Sequence, residues 1–131
     1  MEMPSTVDID EPLARFLTQS YHYSHEKGVV KPAAFEPPRD LHLSVFRIDG
    51  LVITDVWRIG KQQVTEKMKS PAKLYGFADI KASTIQDSNL RIESDNDPPR
   101  HASVVGWPEE KSKRKLIAIE LASRSQLVLH P

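Results

Sequence analysis

The stretch Leu41-His42-Leu43-Ser44-Val45-Phe46-Arg47-Ile48 constrains this chain more than any other. Its residues alternate with the period of a strand, not of a helix. In an extended chain successive side chains point to opposite faces. Leu41, Leu43 and Val45 therefore share one face, and His42, Ser44, Phe46 and Ile48 share the other. The following Asp49-Gly50 is a turn signal. A strand of this kind cannot stand alone, so the chain is committed to a sheet. Arg47 continues the apolar face, and a guanidinium there must find partners because an unpaired buried charge is expensive. Two readings follow. Arg47 is either held by an internal salt bridge or at a strand end, or it clamps a phosphate or carboxylate.

The remaining elements are placed by the same periodicities. Met1 to Ile9 reads as a loose tail. Asp10 is a candidate cap, and Leu13, Phe16, Leu17 and Tyr21 recur at helical spacing, which predicts a helix over Glu11–His22. Val29 to Asp40, with Lys31-Pro32 and Pro37-Pro38, is an extended connector with Phe35 inserted in a pocket. Val56, Trp57, Gly60, Val64 and Met68 share a stripe of a second helix, Asp55 to about Lys69, which Ser70-Pro71 stops. Gly60 is a cost in a helix interior unless another element approaches it closely. Strands are expected over Leu74–Ile80, Leu90–Glu93, Ala102–Val105 and Gln126–Leu129. Ala82 to Asn89 is a single helical turn or a loop, and Pro108 to Ser123 a last helix. The expected class is α+β: a mixed or mostly antiparallel sheet of four to five strands, with about three helices packed chiefly on one face.

Composition narrows the function classes. A length of 131 residues suits a single compact domain over 1–131. The 18 basic and 18 acidic residues cancel, so charge gives no argument for binding nucleic acid or a membrane surface. Without cysteine there is no disulfide framework, thiolate metal site or cysteine nucleophile. No apolar run approaches the roughly 20 residues of a membrane helix. The acidic N-terminal stretch lacks the order of a signal peptide, so a cytoplasmic location is expected.

Lys31-Pro32 with Phe35, Leu43-Ser44-Val45-Phe46-Arg47, Leu74-Tyr75-Gly76, and His101 through Gly106-Trp107-Pro108 together form a pattern over most of the chain. In these motifs the chain resembles a group of small bacterial proteins of similar length whose activity is not known. The resemblance implies a bacterial origin and carries no chemistry.

The residues that an ordinary fold would not require are few. Arg100-His101 follows the stiff Pro98-Pro99 pair. There His101 is the candidate general acid or base, and Arg100 a candidate anion ligand beside Arg47. A lone histidine needs a positioned partner before it means catalysis. Ser44 and Asp79 are partners only if the strands bring them close. His22 and His25, with His42, lack the paired ligands of a zinc signature, so no metal and no cofactor are expected. Gly106-Trp107-Pro108 has no glycine-rich cradle, and Glu109-Glu110 would repel an anion. The run from Lys111 to Lys115 has no interleaved aromatics, so it reads first as a solvated face, with nucleic-acid binding the weaker reading.

No nucleophile elbow, P-loop, dinucleotide fingerprint or metalloprotease helix is present. The leading expectation is a small non-enzymatic accessory or interaction protein. Its anchors would be Phe35, Trp57 or Trp107, and its partner another protein or a second copy. The alternative is a small enzyme or binding protein for a phosphorylated or nucleotide-like molecule, using Arg47, Arg100 and His101. That alternative requires Arg47 and His101 to line one pocket.

Overall fold

The computed structural model of the protein describes residues 4–70 and 72–131. The main sheet is built from β1 (Pro12–Leu17), β4 (Leu43–Arg47), β5 (Gly76–Lys81), β6 (Arg91–Ser94), β7 (His101–Val105) and β8 (Gln126–Leu129). Its order is β6-β7-β4-β1-β5-β8, and each neighbouring pair is antiparallel. Two short strands, β2 (Tyr23–Ser24) and β3 (Val29–Val30), form a separate ribbon. The helices are α1 (Ile53–Ile59), α2 (Ala82–Gln86) and α3 (Lys111–Arg124). The α+β class holds. Among the described residues the main sheet has six strands, not four to five, and each neighbouring pair is antiparallel.

The helices are split between the two faces. One core gathers Leu13, Leu17, Leu43, Val45, Ile80, Ala102 and Val104 from the sheet. Against them lie Ile85 of α2, Ala118, Leu121 and Ala122 of α3, and Phe35 from a 3-10 turn over Pro32–Phe35. The other core is smaller. Ala14, Phe16, Phe46 and Phe77 pack under Val56 of α1, with Phe16 edge-on to both Phe46 and Phe77. The expectation of helices chiefly on one face therefore fails for α1. Its stripe covers the aromatic side of β1 and β5, together with Val64 of the turn that follows it.

The helix expected over Glu11–His22 is a strand, β1, followed by a 3-10 turn at Ser20–His22. Leu13, Phe16 and Leu17 fit a helical stripe, but they equally fit a central strand buried on both sides. Such strands read as near-continuous apolar runs. Leu13 and Leu17 enter one core, and Ala14 and Phe16 the other. Pro12 is tolerated because it stands at the first position of the strand. Pro4 to Ile9, expected as part of a loose tail, is tied down. Val7 is buried, and the Ile9 carbonyl accepts a hydrogen bond from Ser83 N at 2.9 Å. Residues 1–3 of that tail, and Pro71 of the expected Ser70-Pro71 stop, lie outside the described residues.

The second expected helix begins as α1, widens to a π-helical turn over Gly60–Val64 and tightens to a 3-10 turn over Thr65–Lys67. Gly60 has the reason the sequence reading asked for. A Cβ there would stand 2.7 Å from the Phe16 ring and 2.9 Å from Leu74 Cδ2.

β1 and β4 pair at Leu13–Arg47 and Ala14–Phe46. Next to this pairing Arg15 donates from Nη1 to the Ser44 carbonyl at 3.1 Å and from Nε to the Ala34 carbonyl at 2.7 Å. Burial lowers the Arg15 pKa to about 10, so the group still carries its charge at neutral pH. His22 is buried too, and its Nδ1 accepts from Thr18 N at 3.3 Å. Burial, and then the Arg15 charge, lower the His22 pKa to about 4.

The sign of the consequence is fixed. The unfolded histidine, near 6.5, binds a proton that the folded one refuses, so this contribution is complete above pH 6.5 and is lost as pH falls toward 4. The loss attributable to His22 approaches about 3 kcal/mol. Urea unfolding between pH 8 and pH 4.5 is expected to show it. His22→Asn, which keeps an acceptor for Thr18 N, should flatten the acid limb; an unchanged slope would assign the acid loss to other groups.

Candidate functional site

Arg47 is at the end of β4, only 1% exposed. Its guanidinium is fully engaged inside the protein. Nε and Nη2 form a fork on the Glu11 carboxylate at 2.7 and 2.9 Å. Nη2 also donates to the Thr6 carbonyl, and Nη1 to Ser94 Oγ and the Pro4 carbonyl. These five contacts use the five donors a guanidinium possesses. Glu11, which the sequence reading placed in a helix turn, is the counter-ion. Its buried position opposite Arg47 depends on β1 being a strand.

The loop after β6 is held by backbone and amide contacts. Asn96 and Arg100 both have positive φ, at +52° and +73°. Asn96 Oδ1 accepts from Arg100 N at 2.7 Å, and Asn96 N donates to the His101 carbonyl at 3.1 Å. Asparagine tolerates the left-handed region better than most residues. The Arg100 side chain turns inward and donates from Nη1 to the Arg47 and Asp49 carbonyls. It thus stitches the end of β4 to the start of β7.

His101 is directly opposite Phe46 in the β4–β7 register, and the two rings meet edge-on at 5.4 Å. Side chains alternate along a strand, so Arg47, the next residue, lies on the other face of the sheet. Arg47 and His101 therefore do not share a site, and the three-residue anion pocket of Arg47, Arg100 and His101 is not assembled. His101 has other partners. Its Nε2 is 3.0 Å from Ser44 Oγ, and its Nδ1 is 2.8 Å from Asp95 Oδ1. An ionised carboxylate only accepts, so Nδ1 carries a proton, and in the neutral imidazole Nε2 accepts from the serine hydroxyl.

Three strands set this geometry. Ser44 and Ser103 are cross-strand partners on β4 and β7, and His101, two residues before Ser103, lies on the same face. Asp95 closes the far side from the end of β6. Partial burial pushes the Asp95 carboxyl up, but its bonds from His101 and from the Asp97 and Asp95 amides outweigh this and hold it below the usual range. Ser44 was one of the two partners the sequence offered for His101. The other, Asp79, is on β5, which β1 separates from β4. Asp95 gave no signal in its polar loop, because only the β6–β7 pairing brings it to the imidazole.

The expected interface anchors are mostly internal. Phe35 is fully buried, and Trp107 is buried with its indole N–H donating to the Val104 carbonyl at 2.9 Å. Both serve the core. Trp57 is half-buried between Phe77 and His130. Among the described residues no group of three or more His, Asp or Glu side chains could hold a metal. His22 is spent on Thr18, and His25 and His42 are exposed.

A second surface lies on the face bearing α3. Val29 and Val30 of β3, Ile119 and Ala122 of α3, and Leu127 of β8 line a groove of about 570 Å³. Ile119 and Val29 are 50% and 47% exposed beside it, and Leu116, one turn back on α3, is 67% exposed. Among the described residues no helix is long and apolar enough to cross a membrane. Compared with family models, curated proteins and solved structures, the chain matches none.

Proposed function

We propose that this protein is an interaction domain whose partner is a second copy of itself, docked through β8 and the adjoining α3 groove. One observation carries the reading: the edge strand and the apolar groove form a single surface, because Gln126 and Leu127 of β8 line the groove together with Val29 and Ile119. An edge strand exposes unpaired backbone donors and acceptors, and monomeric proteins blunt such edges with charge or proline. Gln126-Leu127-Val128-Leu129 carries neither, and among the described residues no other strand pairs with its outer side. Antiparallel pairing of β8 with its own copy would satisfy those groups and cover the apolar side chains by one two-fold axis. The cysteine-free sequence and the resemblance to bacterial proteins support a bacterial, cytoplasmic setting. The phosphorylated-ligand reading has lost its main cation, since Arg47 is fully occupied by Glu11 and its neighbours.

Sedimentation velocity over a concentration series is expected to show a dimer. Ile119→Glu with Leu116→Glu, at exposed positions, should weaken it by at least about tenfold, the equivalent of 1.4 kcal/mol. A monomer at every concentration up to about 100 μM would refute the reading, because micromolar association is visible there.

A further inference from the structure

We propose that Ser44, His101 and Asp95 form a nucleophilic serine site on the open face of β4 and β7, acting on carboxylic esters presented from solvent. The inference stands apart from the docking reading, which concerns the face bearing α3 and the sheet edge.

The argument is geometric. Each imidazole nitrogen has a different partner, and each partner suits a different role. Asp95 at 2.8 Å holds Nδ1 and fixes the tautomer. Ser44 Oγ at 3.0 Å sits on Nε2, the nitrogen left free to take its proton. The Phe46 ring, in an edge-to-face contact with ring centroids 5.4 Å apart, restrains the imidazole plane. This is the nucleophile, base and orienting-group relation that defines a catalytic triad by roles, independent of fold or order in the chain. The imidazole is largely shielded, its side chain 13% exposed, whereas Ser44 is exposed. The base is thus held and the nucleophile is reachable.

The chemistry balances with water as co-reactant. Ser44 Oγ bonds to the ester carbonyl carbon as its proton passes to His101 Nε2. The carbon–alkoxide bond breaks, and the alkoxide leaves with that proton as an alcohol. Water then attacks the acyl-serine and gives a proton to His101, which returns it to Ser44 Oγ as the carboxylic acid departs. Ser44 is exposed on the sheet face, so the acyl group is approached from solvent. Short or activated esters fit that access, and an ester buried in a bulky scaffold does not. Ser103, the cross-strand partner of Ser44, adds a second serine to the same face of the sheet.

The test uses the full chain with a fluorophosphonate probe, followed by peptide mapping, and p-nitrophenyl acetate hydrolysis. The adduct is expected on Ser44, with Ser44→Ala abolishing it. His101→Gln should slow labelling and hydrolysis by about 10²-fold or more, the range of general-base assistance. Asp95→Asn should slow both by a smaller factor and change the pH profile through the wrong tautomer. Folding of each variant is checked by its thermal transition. Ser44→Cys gives a second readout: its alkylation by iodoacetamide should be faster at neutral pH than in the Ser44→Cys/His101→Gln double variant. An adduct on other serines in preference to Ser44, or labelling and alkylation rates indifferent to His101, would overturn the proposal.

Discussion

Arg47→Met is expected to lower the unfolding free energy by about 3–5 kcal/mol, the cost of leaving one half of a buried ion pair alone. Both side chains are almost wholly removed from water, at 2% and 5% exposure. Removing the guanidinium leaves the Glu11 carboxylate buried and strips donors from the Pro4 and Thr6 carbonyls and from Ser94 Oγ. Glu11→Gln should also destabilise, since a neutral amide cannot balance the buried cation. The double variant Glu11→Leu/Arg47→Met is expected to be more stable than the sum of the single effects predicts, because a buried pair replaced by apolar groups loses no uncompensated charge. Recovery should be partial, as the carbonyls and Ser94 still lack their donor. Urea unfolding of the four proteins measures the cycle. A cost for Arg47→Met within about 0.5 kcal/mol, the usual size for surface substitutions, would mean the guanidinium is not held inside, and would restore it as a candidate ligand clamp.

Arg47 shows what was legible and what was not. Its place on an apolar strand face followed from alternation, and with it the demand for a partner. The partner's identity did not, because Glu11 is 36 positions away and meets Arg47 only if Pro12–Leu17 is a strand. That segment imitates a helix for a physical reason. A strand buried on both sides loses the alternation that marks a half-exposed one, and its spacing then passes for a helical stripe. β4, β5, β7, β8 and α3 kept their periodicity and were readable to within a few residues. The candidate site divides the same way. His101 and Ser44 stood out, the first for its stiff loop and the second for its strand. Asp95 stayed hidden because nothing local distinguishes it from Asp97. Phe35 and Trp107 are large aromatics, but size indicates burial as readily as docking, and here both are buried.

Gly76→Ala is expected to detach β8 at a cost of about 3 kcal/mol or more, at or beyond the upper end of ordinary overpacking. Gly76 faces Leu129 across the β5–β8 ladder. A Cβ there would lie 2.2 Å from the Val128 carbonyl oxygen and 3.1 Å from Leu129 Cα. Both are backbone atoms, so no rotamer change relieves the clash, and the edge strand itself must move. Gly60→Ala should be milder, because its nearest contacts are side-chain atoms of Phe16 and Leu74, which can yield. Gly28→Ala meets open space and carries only the strain of φ +65°, about 1 kcal/mol. Hydrogen exchange distinguishes local detachment from global loss. Amides of β8 and His130 should lose protection in Gly76→Ala while those of β1 and β4 keep theirs, since β8 borders only β5 within the main sheet. The same variant separates the edge strand from the groove as the source of association. If β8 carries the docking, the Gly76→Ala protein becomes monomeric while its central sheet stays folded. A dimer that survives with β8 unprotected would transfer the interface to α3.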